Sequence, residues 1–315
     1  MPMSIWIWLA VIAQIIYAVV SILDKSLVTS KTILHPFSYA FYVSILSALS
    51  VFVFFFSWVP IPFGLDLPSF ANLVVPTFSL IVLCLVSGLL MFIALVNLYE
   101  AFSKSDASDV VPVVSSIGAV GILVLEFWLL SERYSIYTLT GILLLIAGTF
   151  LVSNFRFNKE VILHTLYSGL AFAFYYTLIK IIFGFVNFDS GFLYSRLGLV
   201  SAGLIVIMIP SYRRRIFRKL NNKKVKKLQA GAYVLGLKAL AGVASIMTLK
   251  AIDLGSVAVV QALAGVQFLV LIFFSVGLGN LTPNYFGEND LKPAEIFHKV
   301  IAACVIATGL YFAFM

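Results

Sequence analysis

Residues 79–99 read SLIVLCLVSGLLMFIALVNLY, a stretch with no charged side chain. As a helix it would rise about 30 Å, the thickness of a bilayer's hydrocarbon core. It lacks the short alternating segments of a membrane barrel, so a crossing helix is expected. Further apolar runs lie on either side of it. They fall at 5–24, 36–58, 108–130 and 136–154, and then at 161–183, 190–210, 229–250, 256–278 and 296–315. Composition agrees, since 62% of the 315 residues are apolar and 11% are charged. A soluble domain carries about a quarter charged residues. At about 20 residues per crossing, the apolar content fills about ten helices and leaves little else. The expected fold is therefore all-α and integral to the membrane, with ten transmembrane helices.

Several classes drop out at once. The longest polar breaks, at 59–77, 211–228 and 279–295, house no soluble domain. The first run has no basic start and leads into Asp24-Lys25, unlike a cleavable signal peptide. No nucleotide-binding loop of the G-x-x-x-x-G-K-[ST] form is present, which argues against an ATP-driven pump. Cys84 and Cys304 sit in apolar runs, and His35, His164 and His298 are scattered. That pattern gives neither a disulfide framework nor metal-ligand spacing. No catalytic residue, metal or cofactor is expected.

The net charge of +8 is read as topology rather than as nucleic-acid binding. Odd-numbered loops and their helix ends hold 16 basic residues and even-numbered ones hold 2, namely Arg133 and Lys250. Nine of the 16 lie in the 211–228 loop, from Arg213 to Lys227. The positive-inside rule then makes odd loops cytoplasmic and places both termini outside. Trp6, Trp8, Trp58 and Trp128 all fall at helix ends on the predicted outer side, which fits an interfacial belt. The basic loop is expected to rest on anionic membrane lipids.

The two halves, 1–154 and 161–315, align helix for helix. At an offset of 155, Lys25 meets Lys180 and Tyr39 meets Tyr194; at 150, Glu100-Ala101 meets Lys250-Ala251; at 160, Ile146-Ala147 meets Ile306-Ala307. Five helices per half is an odd number, so the second copy enters from the opposite side. The repeats are expected to be inverted, an arrangement that places a site at the midplane and suits alternating access.

The fourth span opens with Ala107-Ser-Asp-Val-Val-Pro112 and closes at Glu132-Arg133, followed by Gly141 and Gly148. This resembles the EamA-type repeat of the drug/metabolite transporter superfamily. The likeness is carried by residues 96–150; in the second half only Gly287-Glu288 stands for the Glu pair. The resemblance implies two inverted five-helix repeats and a secondary transporter of small metabolites, with export as the family tendency. It also implies both termini in the cytoplasm, against the charge count. Small proton-coupled members carry a Glu in the first helix, where this chain has Gln14, Tyr17 and Ser21.

Charged groups at bilayer depth cost at least about 2.5–3.5 kcal/mol on insertion scales, so each calls for a reason. Lys238 is nine residues into the eighth span, roughly 12–14 Å deep. It is read as an anion-attracting group in a substrate cavity, with a structural ion pair as the alternative. Glu126 is read as its counter-charge or as a protonatable coupling group, or else as a residue reaching the outer interface. Arg196 suits a carboxylate or phosphate, or snorkels. Lys25 and Lys180, at matched helix ends, are read as membrane-edge anchors or as pore rims. In the family fold Gln14, Tyr17, Tyr39, Tyr176, Tyr194 and Gln261 fall on cavity-lining helices and complete the expected substrate site. Glu132-Arg133 is read as a structural cap.

The expected function is a secondary transporter, not an enzyme. It moves a small-molecule substrate, such as an amino acid or another carboxylate- or phosphate-bearing solute, outward across the plasma (cell inner) membrane. A second copy of the chain, as a homodimer, is kept open as a partner. A membrane accessory or scaffold subunit and a membrane enzyme acting on lipid substrates are the alternatives. The second of these lacks paired acids near a His and any Asp-rich cluster.

Overall fold

The computed structural model describes residues 5–29, 35–59, 66–151, 159–216, 227–278 and 293–313. Its described residues are mostly helical, with no strand among them. The helices are α1 (Ile5–Thr29), α2 (Pro36–Leu46), α3 (Phe78–Phe102), α4 (Ala107–Leu125), α5 (Ile136–Leu151), α6 (Lys159–Phe185) and α7 (Phe188–Met208). They continue with α8 (Pro210–Ile216), α9 (Lys227–Leu254), α10 (Val257–Ala262), α11 (Ala264–Leu278) and α12 (Pro293–Ala313). Seven stretches of the described chain are long and apolar enough to cross a bilayer, and α5 and the 257–271 stretch are shorter apolar helices. The protein is a multi-pass membrane protein.

Hydrocarbon offers no partner to a free N–H, and several helix starts here are capped by side chains. Thr77 accepts from the Leu80 N–H, Asn187 from that of Ser190 and Ser256 from that of Val259. Pro36 takes the first helical position of α2, where its missing N–H is not needed.

Three elements differ from the apolar runs. The first helix continues to Thr29, so Asp24 lies inside it and is buried. Beyond Leu46, α2 tightens into a 3-10 helix over Ser47–Phe56. Ser44 and Ser47 hydroxyls donate back to the Phe41 and Ser44 carbonyls, 2.7 and 2.6 Å away, and so compete with the α-helical ladder. The tighter winding, of period three, aligns Ser47, Ser50 and Val53 on one face. The ninth apolar run is also not one rod, because it breaks at Leu263 between α10 and α11. Hydropathy cannot see such a break.

The bundle has two ends with different chemistry. At one end Lys25 pairs with Asp106, Lys104 with Glu160 at 2.7 Å, and Arg215 of α8 with Glu100 at 3.2 Å. At the other, Asp189 accepts from the Ser69 N–H and the Asn72 amide at 3.1 and 2.8 Å. Across the middle, α9 lies against α1, α6 against α3 and α4, α7 against α3, and α12 against α5. The α3–α7 contact is backbone on backbone at Gly88 and Gly198, where a Cβ on Gly198 would stand 2.0 Å from the Cys84 carbonyl oxygen. Only glycine permits that approach.

Candidate functional site

A cavity of about 480 Å³ lies inside the bundle, walled by α1, α2 and its 3-10 extension, α3, α4, α6, α7, α9, α10 and α11. Small-molecule sites span about 300–1,000 Å³. Of the residues expected at a substrate site, Gln14, Tyr17, Tyr176, Arg196, Lys238 and Gln261 all line it.

Lys238 is met by Asp24, not by Glu126. Its Nζ donates to both Asp24 carboxylate oxygens, at 2.7 and 2.8 Å. The Tyr39 and Tyr99 hydroxyls donate to the same carboxylate at 2.5 and 3.3 Å. Both tyrosine rings also face the ammonium, with centroids 4.7 and 5.5 Å from Nζ. A buried ion pair recovers its desolvation cost only when its remaining hydrogen bonds are satisfied, and the two tyrosines satisfy them. Tyr39 therefore acts on Asp24 from behind the wall. Asp24 itself was concealed in the sequence, because the Asp24-Lys25 pair reads as a polar helix end. A Lys stranded in the eighth span was the one signal that an acid near this end had to reach it.

Arg196 differs. It is buried, its guanidinium donates to the Ser245 hydroxyl at 2.5 Å, and it stands over the Phe192 ring. No carboxylate pairs with it among the described residues. With Lys238 neutralised by Asp24, Arg196 is the uncompensated charge of the cavity wall. Tyr17 is within electrostatic reach of it, and the same cavity wall carries the neutral hydrogen-bonding groups Gln14, Gln261 and Gln267. Gln267 is already tied to Ser21 at 2.9 Å. The Ser50 hydroxyl, on the wall-facing side of the 3-10 helix, is buried with no partner among the described residues.

Glu126 lies at the opposite end of the bundle from Asp24, in a π turn that closes α4. Its carboxylate accepts from the Val257 and Ala258 N–H groups, both at 3.0 Å, and from the Tyr134 hydroxyl. It therefore caps the start of α10. Burial, and then the Glu126 charge, hold the Tyr134 phenol well above its ordinary range, so it stays the donor. Glu126→Ala is expected to orphan two buried N–H groups and cost about 1–3 kcal/mol, read by thermal unfolding. An unchanged midpoint would refute the cap.

Tyr194 is not in the cavity wall; its hydroxyl donates to the Val74 carbonyl at 2.6 Å. Lys25 pairs with Asp106 just before α4, while Lys180 donates to the Ile252, Asp253 and Gly255 carbonyls just before α10. Gly287-Glu288 and residues 217–226 of the basic loop lie outside the described residues.

No curated protein matches the chain. One solved structure, described only as a crystal structure of a protein, covers 96% of this chain and 96% of its own at 18% identity, with a TM-score of 0.61. That likeness concerns the fold alone. The EamA-like transporter family matches residues 4–154, the half that holds Ala107–Pro112 and Glu132-Arg133. That match covers just under half of the chain, and over residues 4–154 the protein is similar to the EamA-like transporter family.

Proposed function

We propose that the protein is a secondary transporter that exports a small carboxylate- or phosphate-bearing metabolite across the plasma membrane by alternating access. The observation that carries the substrate class is Arg196, a buried guanidinium that among the described residues has no acid partner, in the wall of a cavity whose one other described cation is already neutralised. Arginine's fork suits carboxylate and phosphate oxygens. The Gln14 and Gln261 amides and the Ser50 hydroxyl are within the same wall to hold the rest of the solute.

Ten crossings in two inverted five-helix repeats are part of this reading. The α1–α9 contact and the α6–α3 contact are counterparts under such a repeat, and both are present. The α3–α7 contact has α9–α2 as its counterpart, and among the described residues no comparable packing joins that pair. Instead the cavity lies between them, lined by Val43 and Lys238, which correspond to Gly198 and Gly88 at offsets of 155 and 150. One closed and one open member of a symmetric pair is what a rocking transporter needs.

The test is uptake by proteoliposomes against a panel of amino acids, sugar phosphates, nucleotide sugars and quaternary ammonium compounds. Arg196→Gln is expected to raise KM for an anionic substrate about 10- to 100-fold, the weight of a charged hydrogen bond, with Arg196→Lys intermediate. Transport of quaternary cations, unchanged or improved in Arg196→Gln, would refute the anion assignment.

A further inference from the structure

The cavity is not enclosed on the side between α2 and α9. Leu49, on the α2 extension, and Leu235, Ala239 and Val243, on α9, each line it and are at the same time exposed. Leu49 and Val243 lie in the middle of the apolar spans Pro36–Phe56 and Tyr233–Leu254, and Leu235 lies near the start of the second. Val243 precedes the end of α9 at Leu254 by eleven residues, which is about 16 Å of helix. Half a hydrocarbon core is about 15 Å. The rim therefore faces acyl chains rather than water. Gly236 and Gly242 of the same helix have nothing within 4 Å of the place a Cβ would take, so the space beside α9 is open. The rim is apolar, whereas of the polar groups in the wall Arg196 and Gln14 are buried and Gln261 is half-buried.

We propose that the cavity fills sideways from the bilayer through the gap between α2 and α9. On this basis it takes an amphipathic acid, with its carboxylate at Arg196 and its apolar chain between the two helices. The inference rests on the transport-site reading and narrows its substrate class. An apolar chain held in the gap exchanges one lipid-like environment for another, and its carboxylate meets the single uncompensated charge of the wall.

The experiment titrates purified full-length protein with acetate, hexanoate and decanoate, and compares wild type with Gly242→Trp and Arg196→Gln. In wild type, affinity is expected to rise with chain length by up to about fourfold per methylene. Gly242→Trp, which fills the open space beside α9, should flatten that rise. Arg196→Gln should lower affinity at every length by a similar factor and keep the slope. A wild-type profile that is flat while acetate binds would overturn sideways filling and leave the anion-transport reading standing. A rise with chain length that both variants reproduce unchanged would be partition into detergent, and would overturn it too. Failure of all three acids to bind would count against both readings.

Discussion

Lys238→Met is expected to destabilise the folded protein by about 3–5 kcal/mol, because it leaves the Asp24 carboxylate buried without its counter-charge. Tyr39 and Tyr99 remain as donors to that carboxylate, so some of its solvation is kept. The double variant Asp24→Asn/Lys238→Met removes both charges and should recover most of the loss, since an isosteric neutral pair has no charge to desolvate. Thermal unfolding in one detergent at one scan rate gives the comparison. Two single-variant losses that simply add in the double would show that the pair does not act as a unit. The same set separates structure from transport. If Lys238 is chiefly a strut, the double variant should transport as well as it folds.

The second large effect is expected at the α3–α7 contact. Gly198→Leu places a side chain where its Cβ alone would stand 2.0 Å from the Cys84 carbonyl oxygen and 2.7 Å from its carbon. The obstacle is backbone, which does not swing aside as a side chain does. The cost should therefore reach about 3 kcal/mol or more, at or above the upper end of ordinary overpacking. Gly88→Ala meets the Gly198 carbonyl carbon at 2.1 Å and should behave alike. Gly236→Ala, with open space around it, is the matched control and should change stability little. Wild-type unfolding by Gly198→Leu would mean that α3 and α7 do not meet at these glycines.

These two predictions were not equally readable in the chain. Lys238 is conspicuous because a lone cation nine residues into an apolar run has to be explained by any fold. Its partner Asp24 is 214 residues away, next to a lysine that makes it look like the edge of a helix. The Gly88–Gly198 contact left no mark at all, since glycine in an apolar helix is common and only a neighbour's backbone gives it meaning. Arg196 was legible as a charge in a span. That no acid pairs with it among the described residues is a statement about their positions, and so belongs to the folded molecule.

Glu126 is a case where local sequence said little. A carboxylate within an apolar run suggests a proton carrier or a counter-ion; the structure gives Lys238 to Asp24 and sets the two Glu126 oxygens on the first N–H groups of α10 and on Tyr134. Helix starts in hydrocarbon need acceptors, and which helix a carboxylate will cap cannot be read from its own neighbours.

What the sequence determined by itself was the environment. Helix-length apolar runs with few charges can be stable only where backbone groups bond within their own segment and side chains face lipid, and residues 4–154, with the Glu132-Arg133 and Ala107–Pro112 motifs, are similar to EamA-like transporters. Such information is local, carried by each segment's own solubility. What only the tertiary structure decided was which buried charges cancel and which does not, and where the wall of the cavity is left open. Burial makes electrostatics long-ranged and unforgiving, so the meaning of Lys238, Arg196 and Glu126 depended on partners that folding alone brings within 3 Å of each.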